Sequence, residues 1–235
     1  MPIEEKKINE FAWALDFLGK FSKGEKPNVE WFERPDFIVN MDGKKIGMEV
    51  TRLMDEESAK KESHWKEICI KIKSELSARG FEGLSINILQ RKNCLPKGEE
   101  KSVIVNSIIK KIEKQHSKDK IKVDYFEDLN KYVTKILLHK TNTPELFVSQ
   151  STGGYVKEEC SKIIQEKIFL KNDKLRDYKK HDEMWLLLVA DNFKESGFFE
   201  PSDKDLNVVY KSMFDRVFYF NHFEHKYCEL KIESV

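Results

Sequence analysis

Between Pro35 and Leu53 the chain runs PDFIVNMDGKKIGMEVTRL, and the Asp42-Gly43 pair at its middle leaves that segment few ways to fold. Asp-Gly between two apolar-rich runs marks a two-residue type I′ turn, whose central residues both need positive φ; glycine takes it freely and aspartate tolerates it. Such a turn sets Met41 opposite Lys44, Val39 opposite Ile46 and Phe37 opposite Met48, and Asp36 falls opposite Glu49. Residues facing each other across a hairpin share a face of the sheet. Phe37, Val39, Ile46, Met48 and Val50 therefore make one apolar face, while Asp36, Asn40, Gly47, Glu49 and Thr51 point the other way.

The apolar face is explained by a core beneath it. The other face places two like charges opposite one another, with Cβ atoms about 4.5–5.5 Å apart, an arrangement that destabilises a hairpin. A divalent cation would offset the repulsion, and Mg²⁺ favours one or two carboxylates together with waters and phosphate oxygens. An exposed sheet edge, where solvent and salt screen the pair, would also accommodate it. The spacing alone leaves both open.

Helical periodicity recurs near 3–22 (Ile8, Phe11, Leu15, Leu18), 56–79 (Trp65, Ile68, Ile72, Leu76), 101–115 and 157–178. Strand-like runs are PDFIVNM, KKIGMEVTRL, LSINILQ, YVTKILLHK, ELFVSQ, MWLLLVA, RVFYFN and YCELKI. The two kinds of segment alternate, which predicts an α/β fold with a mixed β-sheet flanked by helices rather than a bundle or a sandwich. No repeat is visible, and Gly24–Asn28 and Lys194–Asp203 are too short for convincing interdomain linkers, so 1–235 reads as a single domain.

Several classes of protein are excluded on simple grounds. The longest apolar run, Met184–Ala190, is seven residues, against the roughly 20 that a membrane-crossing helix needs. The opening MPIEEKKINE lacks the basic-then-apolar pattern of an export signal, and the cytoplasm is the expected location. Cys69, Cys94, Cys160 and Cys228 are widely separated, with neither a disulfide framework nor a thiolate zinc pattern. Net charge is +1, but Lys92–Lys122 carries nine Lys against four acids. That stretch could follow a phosphate backbone or simply form a solvated helix face.

The Pro35–Leu53 segment resembles the PD-(D/E)XK nuclease superfamily, in which an acid at the start of one strand is followed by (Asp/Glu)-x-Lys on the next. Here the matching residues are Pro35-Asp36 and Glu49-Val50-Thr51. The order of elements is also similar: a leading helix, a three-strand meander, and a later helix feeding the apolar strand Met184–Ala190. The resemblance implies a restriction-endonuclease-like core in which Asp36, Glu49 and the Val50 carbonyl bind Mg²⁺ or Mn²⁺ and a metal-activated water attacks a phosphodiester. It also makes Glu10 on the first helix a further metal-site acid, with a solvated surface position as the other reading. Thr51 is the departure, because the superfamily places Lys there. A Thr hydroxyl can hydrogen-bond a water but brings no positive charge.

Some members of the superfamily supply that Lys from another element. In CSKIIQEKIFLKNDKLRDY, Ile164, Ile168, Lys171 and Leu175 follow i, i+4, i+7, i+11 spacing, which puts Lys171 inside an apolar stripe; Lys167 lies at its border. Either could reach a site on the sheet, or send its ammonium to water from the rim of the stripe.

Other motifs are weaker. His222-x-x-His225 has metal-compatible spacing, but its flanks read as strands, which makes a turn the natural setting. Ser149–Gly154 precedes a helix and could hold a phosphate, although Gly-rich entry loops are common without ligands. Asp124, Glu127 and Asp128 read as surface. The sequence thus predicts a Mg²⁺-dependent nuclease acting on nucleic acid, with DNA as the expected substrate and a homodimer as a common arrangement for cutting two strands. The alternative is an inactive nuclease-fold protein that binds nucleic acid or has a regulatory role.

Overall fold

The Asp42-Gly43 turn forms with the backbone its chemistry requires: φ is +52° at Asp42 and +74° at Gly43 in the computed structural model. The structure describes residues 3–23, 27–91, 94–115, 129–151, 160–192 and 195–235. The turn joins β2 (Phe37–Met41) to β3 (Lys44–Arg52) in the predicted register, with Phe37 against Met48, Val39 against Ile46 and Met41 against Lys44. A further strand, β1 (Asn28–Trp31), pairs antiparallel with β2 and was not expected from the sequence.

The protein is mixed α/β. Its described residues gather into two compact units, one made of Met1–Asp55 with Tyr155–Val235 and the other of Glu56–Gly154.

The first unit is built on a six-stranded sheet. After β1, β2 and β3 it continues through β7 (Glu183–Ala190), β9 (Arg216–Asn221) and β10 (Lys226–Glu229). β3, β7 and β9 run parallel to one another, whereas the outer pairs β1–β2, β2–β3 and β9–β10 are antiparallel. Helix α1 (Ile3–Phe21) contributes Trp13, Ala14, Phe17 and Leu18 to a core over Phe37, Val39, Met48, Val50, Leu187 and Phe218. Helix α4 (Cys160–Leu175) belongs to the core of the opposite face, where Ile164 and Ile168 pack with Leu186, Leu188 and Ala190. β7 is buried along nearly its whole length because both faces are covered, which explains its unbroken apolar run.

YCELKI splits rather than forming one strand. At Leu230, whose N–H donates to Val217 O at 2.9 Å, the chain leaves β10. It then forms β11 (Lys231–Ser234), parallel to β8 (Val209–Ser212) in a separate two-stranded ribbon. A four-residue helix, α5 (Asp203–Leu206), begins on a Ser202 cap with Asp205 as its reciprocal partner.

In the second unit β4 (Leu84–Gln90) lies between β5 (Val133–Lys140), antiparallel to it, and β6 (Leu146–Ser151), parallel to it. Helices α2 (Glu56–Ala78) and α3 (Glu99–Gln115) supply Trp65, Ile68, Ile72, Leu76, Ile104, Ile108 and Ile112 to a core with Leu84, Ile86 and Ile88. The described part of the Lys-rich stretch forms mainly the outer face of α3. There Lys110 and Lys114 are exposed and Lys101 pairs with Glu67 at 2.6 Å. Lys97 is exposed and Lys111 half-buried, whereas Lys92, Lys118, Lys120 and Lys122, the Gly-rich end of Ser149–Gly154 and the acids Asp124, Glu127 and Asp128 lie outside the described residues. No helix among the described residues is long and apolar enough to cross a membrane.

Candidate active site

Strand β2 is shorter than β3, and the site lies where it ends. One residue before β2, the Asp36 carboxylate accepts the Val50 N–H at 2.9 Å, taking the place a β2 backbone carbonyl would otherwise fill. In an extended strand the N–H and C=O of one residue point to the same side. The Val50 carbonyl is therefore directed toward the side that Asp36 occupies. Glu49 and Thr51, on alternate residues, face the other core, where their strand partners are Leu186 and Leu188.

Glu49 is only 4% exposed, so the like-charged pair predicted from the turn does not rest on a screened surface. Its counter-charge comes from α4: Lys171 Nζ lies 2.5 Å from Glu49 Oε1, and both side chains are largely withdrawn from water. The i, i+4, i+7 stripe accounts for this directly. Ile164 and Ile168 are fully buried against the sheet and Leu175 packs at the edge of the same core, so Lys171 between them is carried to the sheet face. Lys167 is half-buried one turn earlier. Thr51 is half-buried on the same face of β3 as Glu49.

The helix is pinned by side chains that bond backbone groups. The Gln165 amide donates to Lys211 O at 3.0 Å and accepts the Lys211 N–H at 2.9 Å, and Asn172 Oδ1 accepts the Met213 N–H at 3.0 Å. Near its start, the Ser161 N–H donates to Asp205 at 3.1 Å. These contacts flank Lys171 and limit rotation of α4 about its axis.

Glu10 is buried rather than solvated, at 5% exposure, and pairs with Lys6 at 3.2 Å. It lies one helical turn before Ala14, on the stripe that packs against the sheet. Burial raises its pKa, with Lys6 opposing that shift and the Lys171 and Glu49 charges also within reach. The Asp36 carboxyl is pushed up to about 7, first by burial and then by repulsion from Glu49, with the Val50 N–H acting in the opposite sense and Glu10 adding to the rise. Three acids thus share one electrostatic neighbourhood with Lys171. Their oxygens do not form a triad within 4.8 Å; among the described residues that convergence occurs only at Asp16, His222 and His225. Glu10 therefore contributes negative charge to the site rather than a third converging oxygen.

One participant escaped the sequence reading. Burial and interaction with the Glu49 carboxylate hold the Tyr178 phenol above its ordinary pKa, with Asp36 raising it further and Arg34 lowering it. Tyr178 follows the end of α4, where its N–H bonds Leu175 O at 3.1 Å. It stands seven residues beyond Lys171, the next position of the stripe, and that spacing was the available signal.

Chemically, the arrangement is a buried, acid-rich notch with hard oxygen donors, one ammonium and a phenol that keeps its proton. No protein-family model matches the chain, and no curated protein or solved structure matches it significantly.

Proposed function

We propose that this protein is a metal-dependent nuclease that hydrolyses phosphodiester bonds, with DNA as its substrate. The observation that carries the reading is the meeting of half-buried Asp36 and buried Glu49 at the end of β2, with Lys171 supplied from α4 where the superfamily's motif would place Lys at position 51. The order α1, the β1–β2–β3 meander, α4 and then β7 parallel to β3 supports a restriction-endonuclease-like core, with the second unit inserted between β3 and α4 in the chain.

The raised pKa of Asp36 reflects burial first and the neighbouring Glu49 charge second, both of which a cation would offset, and the donors are oxygens of the kind Mg²⁺ and Mn²⁺ prefer. Asp36, Glu49 and the Val50 carbonyl would hold the ion. When bound, it would lower the pKa of a coordinated water and neutralise charge on the scissile phosphate. Lys171, held beside Glu49, would hydrogen-bond the attacking water or face the charge that develops on phosphorus. Thr51 offers a hydroxyl on the same strand face. Tyr178, with its proton held by Glu49, limits how that carboxylate can turn. With so little covalent work required of the protein, positioning and charge account for the short list of residues.

The test is cleavage of supercoiled, linear and single-stranded DNA by purified protein, with and without Mg²⁺ or Mn²⁺. Metal-dependent cutting that is lost in Asp36→Asn, Glu49→Gln and Lys171→Met is the expected result. Equal activity of Asp36→Asn and wild type would overturn the assignment, and metal-independent DNA binding without cleavage would identify an inactive relative of the fold.

A further inference from the structure

We propose that Asp16, His222 and His225 form a second metal site, suited to a single divalent transition ion of the zinc class, that staples helix α1 to the turn between β9 and β10. His222 Nδ1 and His225 Nδ1 lie 3.1 Å and 2.7 Å from the same oxygen of Asp16. All three ligand atoms fall within 4.8 Å of one another, and no other set of three among the described residues does so. Around a tetrahedral ion with bonds of about 2.0–2.1 Å, ligand atoms stand roughly 3.3 Å apart. The two Asp16–histidine separations are close to that spacing, and the third lies within 4.8 Å.

The local fold explains why they converge. The His222 N–H donates to Ala190 O at 2.9 Å, which anchors the start of the turn to the end of β7, and the His225 N–H returns to His222 O at 3.3 Å. His225 has φ of +53°, a left-handed conformation that histidine tolerates better than most residues. Asp16 stands beside the buried Phe17 on α1, at the border of the stripe that faces the sheet. The aspartate and the two histidines are 206 and 209 residues apart in sequence.

Two imidazoles with one carboxylate select against Mg²⁺, which takes oxygen ligands, and favour Zn²⁺ or its neighbours. Three protein ligands leave a fourth position for water. Glu10 is six residues earlier on α1, about 9 Å along the axis at 1.5 Å per residue. The site is thus separate from the carboxylates of β2 and β3 and does not depend on the nuclease reading.

The experiment uses the full chain, stripped with chelator and titrated with Zn²⁺ by calorimetry and with Co²⁺ by visible absorption. Expected are about one ion per chain, intense Co²⁺ bands of a tetrahedral nitrogen–oxygen site, and a rise in Tm with Zn²⁺. Trp13, whose ring centroid is 6.4 Å from that of His222, should lose fluorescence when Co²⁺ binds. His225→Ala alters a side chain that is 54% exposed and should weaken Zn²⁺ more than about tenfold; Asp16→Asn should do the same. Asp36→Asn/Glu49→Gln should bind Zn²⁺ as wild type does, which separates this site from the nuclease centre. Absence of Zn²⁺ binding by wild type, or undiminished binding by His222→Ala/His225→Ala, would overturn the proposal. Should a variant fail to fold, wild-type Co²⁺ spectra lacking nitrogen ligation or showing thiolate charge transfer would overturn it equally.

Discussion

Lys171 and Glu49, separated by 122 residues in sequence, meet at 2.5 Å beneath the cover of α4. In the proposed nuclease reading, Thr51 stands where the superfamily's pattern has Lys, and Lys171 on α4 supplies the positive charge. Removing that charge should reduce DNA cleavage by about 10²-fold or more, the size of effect seen when one electrostatic group is lost from a transition state. Lys171→Met also leaves Glu49 buried without its cation, at a stability cost of about 3–5 kcal/mol, so Glu49→Gln/Lys171→Met is the control for folding. Thr51→Lys in the Lys171→Met background should recover part of the cleavage rate. No recovery in a folded double variant would show that position 51 cannot present its ammonium to the same place.

Asp36 gives the metal-free protein a distinctive pH dependence. Its carboxyl titrates at about 7 in the folded chain, against an ordinary value of 3.8. Because the folded state holds the proton more tightly, the associated stability is complete below the lower value and is lost as pH rises through the higher one. In chelator, Asp36→Asn should therefore be more stable than wild type at pH 8, by at most about 4 kcal/mol. The advantage should shrink toward pH 4. Urea unfolding at several pH values measures it, and a constant difference across the range would contradict the shift. Saturating Mg²⁺ should restore wild-type stability at pH 8.

Gly197 should tolerate no side chain. A Cβ there would lie 2.1 Å from Asp191 Oδ1 and 2.6 Å from an Arg52 guanidinium nitrogen. Those two residues form an ion pair, with Arg52 Nε 2.8 Å from Asp191 Oδ2, joining the end of β3 to the end of β7. Gly197→Ala should cost about 1–3 kcal/mol, the usual penalty for overpacking. Chemical denaturation tests it, and unchanged stability would mean that the pair shifts at no cost.

Asn172 is buried and accepts the Met213 N–H beside the residue that carries the site's cation. Asn172→Ala should destabilise the fold by about 1–3 kcal/mol by leaving that N–H without its partner. If α4 is held in register by this bond, cleavage should fall through kcat with KM little changed. A stable variant with wild-type kcat would argue that the Gln165 contacts to Lys211 position the helix alone.

The β2–β3 hairpin was legible because its determinants are local. Positive φ at Asp42-Gly43 fixes the turn, and the two-residue alternation of a strand then assigns every side chain from Phe37 to Val50 to a face. The same holds for the α4 stripe, since helical spacing alone placed Lys171 among Ile164, Ile168 and Leu175. Pairing across long stretches of chain was less visible. YCELKI gave no sign that Leu230 would divide it between two sheets, and β8 lacks the strong alternation that would have marked it as a strand.

Local sequence thus determined that Asp36 and Glu49 would be neighbours and that Lys171 would lie within an apolar stripe, able either to reach a core or to send its ammonium to water. Only the tertiary structure decided which core. The docking of α4 over β3 and β7 buries Glu49 and brings Lys171 to it, and the packing of α1 places Glu10 near Asp36 and Asp16 against His222 and His225. The physical reason is range: turns and periodicities depend on a few adjacent torsions, whereas these contacts depend on how distant apolar faces share one sheet, and the spacing within any single segment does not record that.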